Sequence, residues 1–220
     1  MRGLLALPSE GDPDPTPAVY LIAGRGDRSP AEHLARVRAS LEAGVAAVQM
    51  REKGATREEL RDLGRALRTL CADHGAPFVV NDDPGLAREL GADGLHLGQE
   101  DLAPAAARAI VGAGMRIGLS THDRDQARRA LGDPAVDHIG VGPVWATRTK
   151  DAGAPLGPDE AREIATLYGG EAWPIGGIDA RGALELAARG LPRAAVSLAI
   201  LGADDVGEAT RAILIALGAR

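Results

Sequence analysis

Residues 18–51 read AVYLIAGRGDRSPAEHLARVRASLEAGVAAVQMR, and three elements lie within them. AVYLIA (18–23) is apolar throughout, the pattern of a strand covered on both faces. SPAEHLARVRASLEAG follows with helical spacing: Ser29 stands as N-cap, Pro30 takes the first helical position, and Gly44 sits where a helix stops. AAVQMR (46–51) is then a second apolar strand, ending on a polar residue. Strand, helix, strand is the unit from which the rest of the chain is built.

The same beat recurs. Further strands are expected at PFVVN (77–81), GLHL (94–97), RIGLS (116–120), DHIGV (137–141), EAWPI (171–175) and AAVSL (194–198). Helical patterns fill the gaps, from TREELRDLGRALRTLCADHG, with the capping box Thr56 and Glu59, to DVGEATRAILIALG. Eight strands each followed by a helix predict an α/β fold, a (β/α)8 TIM barrel in a single domain. A doubly wound sheet would alternate too, but eight units without a composition break favour closure. The expected domain spans 19–220. Residues 1–18, rich in Pro, Asp and Gly, read as a flexible N-terminal arm.

Composition narrows the function. Apolar residues make up 45% of the 220, enough for a core, but aromatics are 2%, too few to stack a single-stranded nucleic acid. A net charge of −6 argues against nucleic acid or a membrane surface as partner and leaves small anionic substrates open. The lone Cys71 excludes an internal disulfide and fits a reducing cytoplasm. The N-terminal apolar stretch is too short for a signal peptide. A soluble cytoplasmic protein is expected, and the sequence leaves a homo-oligomer open.

In such a barrel the chemistry belongs at the C-terminal strand ends. Strand two ends in QMREK, with Gln49, Arg51 and Lys53 at alternate positions and so aimed the same way. Two cations there suit a phosphate, although Glu52, Glu58 or Glu59 could instead pair with them at a solvated strand end. Strand three ends in Asn81, Asp82, Asp83, Pro84; Asp83 reads as the next helix cap, and Asp82 is spare. Strand four ends in Gln99, Glu100, Asp101, where one acid could again be a cap. Two acids beside a phosphate-binding pair point to Mg²⁺, which takes one or two carboxylates plus phosphate oxygens and water. Ser120 and His122 end strand five, while His96 lies between two leucines as a packing or supporting residue.

The stretch GVGPVWATRTKDAGAP after strand six exceeds a minimal connection and carries Thr147, Arg148, Thr149 and Lys150. It reads as a phosphate-grasping lid or as a mobile surface loop. Gly176 and Gly177 end strand seven, and Ser197 and Leu198 follow strand eight, the pair of loops that commonly holds phosphate in these barrels. Two anion sites imply two phosphorylated substrates.

The set QMREK, NDDPGLA, GADGLHLGQEDL, IGLSTH, GVGPVWATRTKDAG and PIGGI strongly resembles the thiamine phosphate synthase family, in family order over about 19–217. The resemblance implies a transferase that joins a pyrimidine diphosphate to a thiazole phosphate, releasing pyrophosphate, with Mg²⁺ as cofactor. It implies that Gln49, Arg51, Lys53, Asn81, Ser120 and Lys150 hold the pyrimidine diphosphate, with Arg51, Ser120 and Lys150 serving catalysis. It likewise implies Asp82 and Asp101 as metal ligands, and Thr147, Thr149, Gly177, Ser197 and Leu198 around the thiazole phosphate. Three places depart from the family pattern: Leu198 stands where a serine is usual, Trp145-Ala146 where an aromatic and proline are common, and Trp173-Pro174 before the glycines. The alternatives are a thiazole tautomerase and a barrel that binds thiazole or thiamine phosphates without turnover.

Overall fold

The computed structural model describes residues 16–147 and 154–219. Within them, eight parallel strands are β1 (Ala18–Ala23), β2 (Ala47–Met50), β3 (Phe78–Asn81), β4 (Gly94–Leu97), β5 (Arg116–Thr121), β6 (His138–Val141), β7 (Ala172–Pro174) and β8 (Arg193–Val196). They form one sheet in the order β7-β6-β5-β4-β3-β2-β1-β8. A single parallel bridge, Ile175 to Ala195, joins the two ends of that order. The expected (β/α)8 barrel is therefore the observed architecture. Most of the arm expected over 1–18 lies outside the described residues, and β1 already begins at Ala18.

The helices among the described residues are α1 (Pro30–Glu42), α2 (Arg57–Asp73), α3 (Pro84–Glu89), α4 (Pro104–Val111), α5 (Arg124–Leu131), α6 (Pro158–Tyr168), α7 (Ala180–Ala187), α8 (Leu198–Leu201) and α9 (Val206–Ala216). Their starts follow local chemistry. Ser29 Oγ accepts from Glu32 N at 3.2 Å, Thr56 and Glu59 cap each other reciprocally, and Asp83 Oδ1 accepts from Leu86 N at 2.8 Å.

The eighth strand is shorter than expected. It stops at Val196, and Leu198–Leu201 form α8, a one-turn helix ahead of α9. AAVSLAIL, apolar but for Ser197, carries no period that separates a strand end from one helical turn, so the expected strand runs on to Leu198.

Strand alternation builds two cores. Outward residues, among them Leu21, Val48, Phe78, Leu95, Ile117 and Ile139, are buried under the helices. Inward residues Ala18, Tyr20, Ile22, Ala47, Val79, Trp173 and Ala195 fill the lumen. The ring-poor composition is spent carefully there: Tyr20 and Trp173 meet edge to face at 5.4 Å between centroids, and the other rings are His96 and His138 at 5.9 Å. Gly118, between those histidines, leaves them their space; a Cβ there would lie 2.2 Å from His138 Nε2 and 2.5 Å from His96 Nδ1. Burial, reinforced by the positive charge of Arg116, pushes the His138 imidazole down to about 3, so it packs as a neutral ring.

Gly118→Ala is expected to cost about 1–3 kcal/mol in urea denaturation, the range for overpacking a dense core. Gly114→Ala, at an exposed position where a Cβ meets nothing within 4 Å, is expected to stay within about 1 kcal/mol of wild type in the same assay.

Candidate active site

Parallel strands bring their C-terminal ends to one rim. Register sets the depth: Asn81 pairs with His96, His96 with Gly118, and Ser120 with Gly140. Arg51 follows β2, with its N–H bonded to Ala23 O at 3.1 Å, and Lys53 is exposed two residues on. Gln49 sits one inward position deeper. It is 2% exposed, and its Nε2 donates to Tyr20 Oη at 2.8 Å.

Two of the three acids that could have neutralised Arg51 and Lys53 are engaged elsewhere, and the third, Glu58, forms no ion pair with either. Glu52 accepts from Arg25 N, tying the β1–α1 loop to the end of β2, and Glu59 is held in the α2 capping box. Among the described residues, no carboxylate lies within ion-pair distance of Arg51 or Lys53. A solvated strand end with its own counter-ions is therefore not what these residues form. Two cations at the rim are held ready for an anion.

The charge they act on is that of Asp82, which neighbours Asp101. Asp83 is consumed as the α3 cap and in an ion pair with Arg57, as its position implied. Asp82 takes no part in that cap. Its backbone has φ +64°, which among L residues favours asparagine and aspartate and is the only such non-glycine case among the described residues. The conformation is fixed by Asp82 N donating to His96 O at 2.8 Å, which ties the end of β3 to β4. Asp101 is not a helix cap either: α4 starts at Ala103 without a side-chain cap, and Asp101 Oδ2 accepts instead from Gly98 N at 2.6 Å.

The two carboxyls are hydrogen-bonded to each other. Crowding by protein atoms, then the hydrogen bond and the negative charge of Asp101, push the Asp82 carboxyl up to about 6; Arg51 and Lys53 pull the other way. Two neighbouring acids, one of them held above its usual range, are a fitting donor pair for a hard divalent cation, provided other oxygens complete its shell. Among the described residues no cluster of three or more His, Cys, Asp or Glu could form a metal cage. A cation held by two carboxylates would need the substrate's own oxygens.

Ser120 lies inward on β5 with its Oγ 3.0 Å from His96 Nε2. His96, which the sequence left as a packing or supporting residue, thus orients the serine hydroxyl. Gln99 Nε2 donates to Ser120 O at 2.6 Å from the other side, and Glu100 is exposed in the loop. His122 faces away, with Nδ1 on Gly142 O.

On the far side of the mouth, the end of β7 and the segment after β6 are laced together. Val144 N donates to Ile175 O at 2.8 Å and Trp145 N to Gly176 O at 3.0 Å. Gly176 and Gly177 have φ of +100° and +65°, so both the turn and the close approach of residues 143–146 require glycine. Thr147 is half-buried at the end of this stretch, while Thr149 and Lys150 lie outside the described residues. Ser197 stands at the N-cap position of α8 without a side-chain cap bond, and Leu198 is 51% exposed beside it. The sequence did not single out Tyr20, and it marked Trp145 only as a departure from the family pattern. Each is one of very few rings in the chain, the one signal that could have raised them.

A family model described as thiamine monophosphate synthase matches residues 19–200. A thiamine-phosphate synthase of Moorella thermoacetica is 43% identical over 176 residues, covering 80% of this chain and 83% of that protein. One of Gloeobacter violaceus is 43% identical over 171 residues, covering 78% of this chain, which spans only 50% of that relative's length. Among solved structures, thiamine phosphate pyrophosphorylase from Pyrococcus furiosus superposes with a TM-score of 0.82 at 32% identity, over 91% of this chain and 95% of that one.

The raised Asp82 carboxyl has a measurable consequence. A carboxyl whose folded-state value is raised from 3.8 to about 6 costs stability while it is charged, above about pH 6, and costs nothing once both states are protonated, below about pH 4. Asp82→Asn keeps a residue suited to the backbone and removes that charge. In EDTA, its thermal midpoint is expected to exceed wild type by more at about pH 8 than at about pH 4.5. An equal gain at both values would contradict the raised carboxyl.

Proposed function

The chain belongs to the thiamine monophosphate synthase family, and from that premise we propose that it condenses 4-amino-2-methyl-5-hydroxymethylpyrimidine diphosphate with 4-methyl-5-(2-phosphoethyl)thiazole, giving thiamine phosphate and pyrophosphate. The observation that carries the reading is the rim itself: Arg51 and Lys53 without carboxylate partners among the described residues, near enough to act on Asp82, which neighbours Asp101. A diphosphate supplies what both halves lack, anionic oxygens for the cations and extra ligands for a cation between the acids.

In this reading the reaction runs by departure of pyrophosphate before the new bond forms. Such a step asks for stabilisation of charge on the leaving group more than for a base. Arg51 offers a planar fork to the diphosphate oxygens and Lys53 a point charge. Asp82 and Asp101 would hold Mg²⁺, which when bound supplies charge neutralisation on the departing pyrophosphate. Ser120, its hydroxyl oriented by His96, donates to the same group, and Lys150 acts on it from the segment after β6. Asn81 at the rim orients the pyrimidine, with Gln49 beneath it on Tyr20.

The thiazole phosphate is assigned to the opposite side of the mouth, to Thr147, Thr149, Gly177 and the Ser197-Leu198 turn. That placement follows the general use of the loops after strands seven and eight for phosphate. With Leu198 in place of the usual serine, backbone N–H groups and Ser197 remain as donors. The cytoplasmic location rests on the chemistry of this biosynthetic reaction; no helix among the described residues is long and apolar enough to cross a membrane.

The direct test mixes both substrates with and without Mg²⁺ and measures pyrophosphate. Metal-dependent release is expected; no product with metal present would leave a thiazole tautomerase or a binding barrel. Asp82→Ala and Asp101→Ala are each expected to lose most turnover while retaining the far-UV spectrum of the fold. Near-normal Mg²⁺-dependent turnover in both would remove the metal assignment. Lys150→Ala is expected to raise the barrier by about 2–4 kcal/mol, read as a fall in kcat.

A further inference from the structure

Trp145 occupies a place that two glycines, Gly177 and Gly182, leave open. A Cβ on Gly177 would lie 2.7 Å from Trp145 Cβ and 2.7 Å from Ala146 O. A Cβ on Gly176 would lie 2.6 Å from Pro143 Cβ, just before it. On the outer side the indole rests on the first turn of α7, where a Cβ on Gly182 would lie 3.1 Å from Cζ3 and 3.3 Å from Cη2. The residue is thus wedged between the turn that ends β7 and the helix that follows it.

The backbone around it is pinned on both sides of the segment that begins at Thr147. Trp145 N bonds to Gly176 O at 3.0 Å, while Leu156 N bonds to Pro143 O at 2.8 Å and Gly157 N to Val144 O at 3.0 Å. The indole is the large side chain beside the point where Ala146 and Thr147 leave that base, and it packs against α7.

We propose that Trp145 is a positioning residue for the thiazole phosphate: its indole, seated on Gly182, holds the Gly177 turn and the Thr147 end of the β6 segment in one geometry. The proposal rests on the assignment of Gly177 and Thr147 to that substrate. It assigns to Trp145 no contact with the pyrimidine diphosphate, whose binders Gln49, Arg51, Lys53, Asn81 and Ser120 lie on or just past other strands; Lys150, which follows Thr147 in the same segment, acts on the leaving group and is read in kcat. Affinity for the two substrates should therefore separate.

The experiment measures KM for each substrate, and kcat, in Trp145→Ala, Trp145→Phe, Gly182→Ala, the Gly182→Ala/Trp145→Phe double variant and Thr147→Val. Trp145→Ala is expected to raise KM for the thiazole phosphate about tenfold or more, with KM for the pyrimidine diphosphate within about twofold; displacements of an ångström carry effects of this order. Trp145→Phe is expected to stay within about threefold of wild type. Gly182→Ala adds a methyl against the indole edge and is expected to raise the same KM several-fold. Because alanine is the better helix former by about 1 kcal/mol, that loss cannot be put down to a loosened α7. The shorter ring in the double variant is expected to remove it, the coupling expected of two residues in contact.

Parallel rises in both KM values, or a Gly182→Ala effect that Trp145→Phe leaves untouched, would overturn the positioning role. So would an unchanged thiazole phosphate KM in Trp145→Ala beside a raised one in Thr147→Val, which would leave the substrate assignment standing. An unchanged KM in both Thr147→Val and Gly182→Ala would overturn the assignment of this side of the mouth. If Trp145→Ala does not fold, the Gly182 pair decides the question by itself.

Discussion

Closing eight strands into a barrel leaves one seam, and here the seam is thin. β7 and β8 meet through the single bridge Ile175 to Ala195, whereas the other neighbouring pairs share three or four registered partners. Side chains inside the lumen make up the difference. Tyr20 on β1 meets Trp173 on β7 edge to face across β8, and the Arg193 guanidinium on β8 lies 5.9 Å from the Trp173 ring centroid. Trp173 Nε1 also donates to Glu171 at 2.6 Å, and Glu171 pairs with Arg116 at 2.7 Å, which carries the tie round to β5. Everything at the mouth depends on this closure, because the β7 and β8 ends can face the β2–β5 ends only across a closed ring.

The same tyrosine reaches toward the chemistry. Its hydroxyl accepts from Gln49, and burial pushes its ionisation far up, so it stays a neutral partner. The lumen is thus graded along its axis. An aromatic and ion-paired floor gives way to Gln49, His96 and Ser120, and these give way to charged groups at the rim. The gradation follows dielectric cost: paired or neutral groups lie within the barrel, and the unpaired cations and the Asp82–Asp101 pair lie where solvent or substrate can reach them.

Much of this was legible in the chain. Periodicity placed all eight strands, and cap chemistry placed the starts of α1, α2 and α3, because both depend on neighbours within a few residues. The division of labour between Asp83 and Asp82 was readable too: one acid suffices for a cap, so the second was spare. What was not legible had a common cause. Arg51 and Lys53 could have been neutralised by Glu52 or Glu59, and only the fold shows Glu52 turned to Arg25 N and Glu59 held in its cap. Nor could spacing tell that Asp101 bonds to Gly98 rather than capping α4, or that α8 interrupts the last apolar run.

By itself, the sequence determined the kinds of element, their order, the closed αβ architecture they imply, and the residue types available at each strand end. Those are properties of short-range sterics, hydrogen bonding and hydrophobic period, which act along the chain. Tertiary structure alone decided which of those residues meet: the approach of Asp82 to Asp101, the hold of His96 on Ser120, and the wedge of Trp145 between Gly177 and Gly182. Each joins residues from different strands or loops, and their separation in space is set by register and closure, which no local pattern encodes.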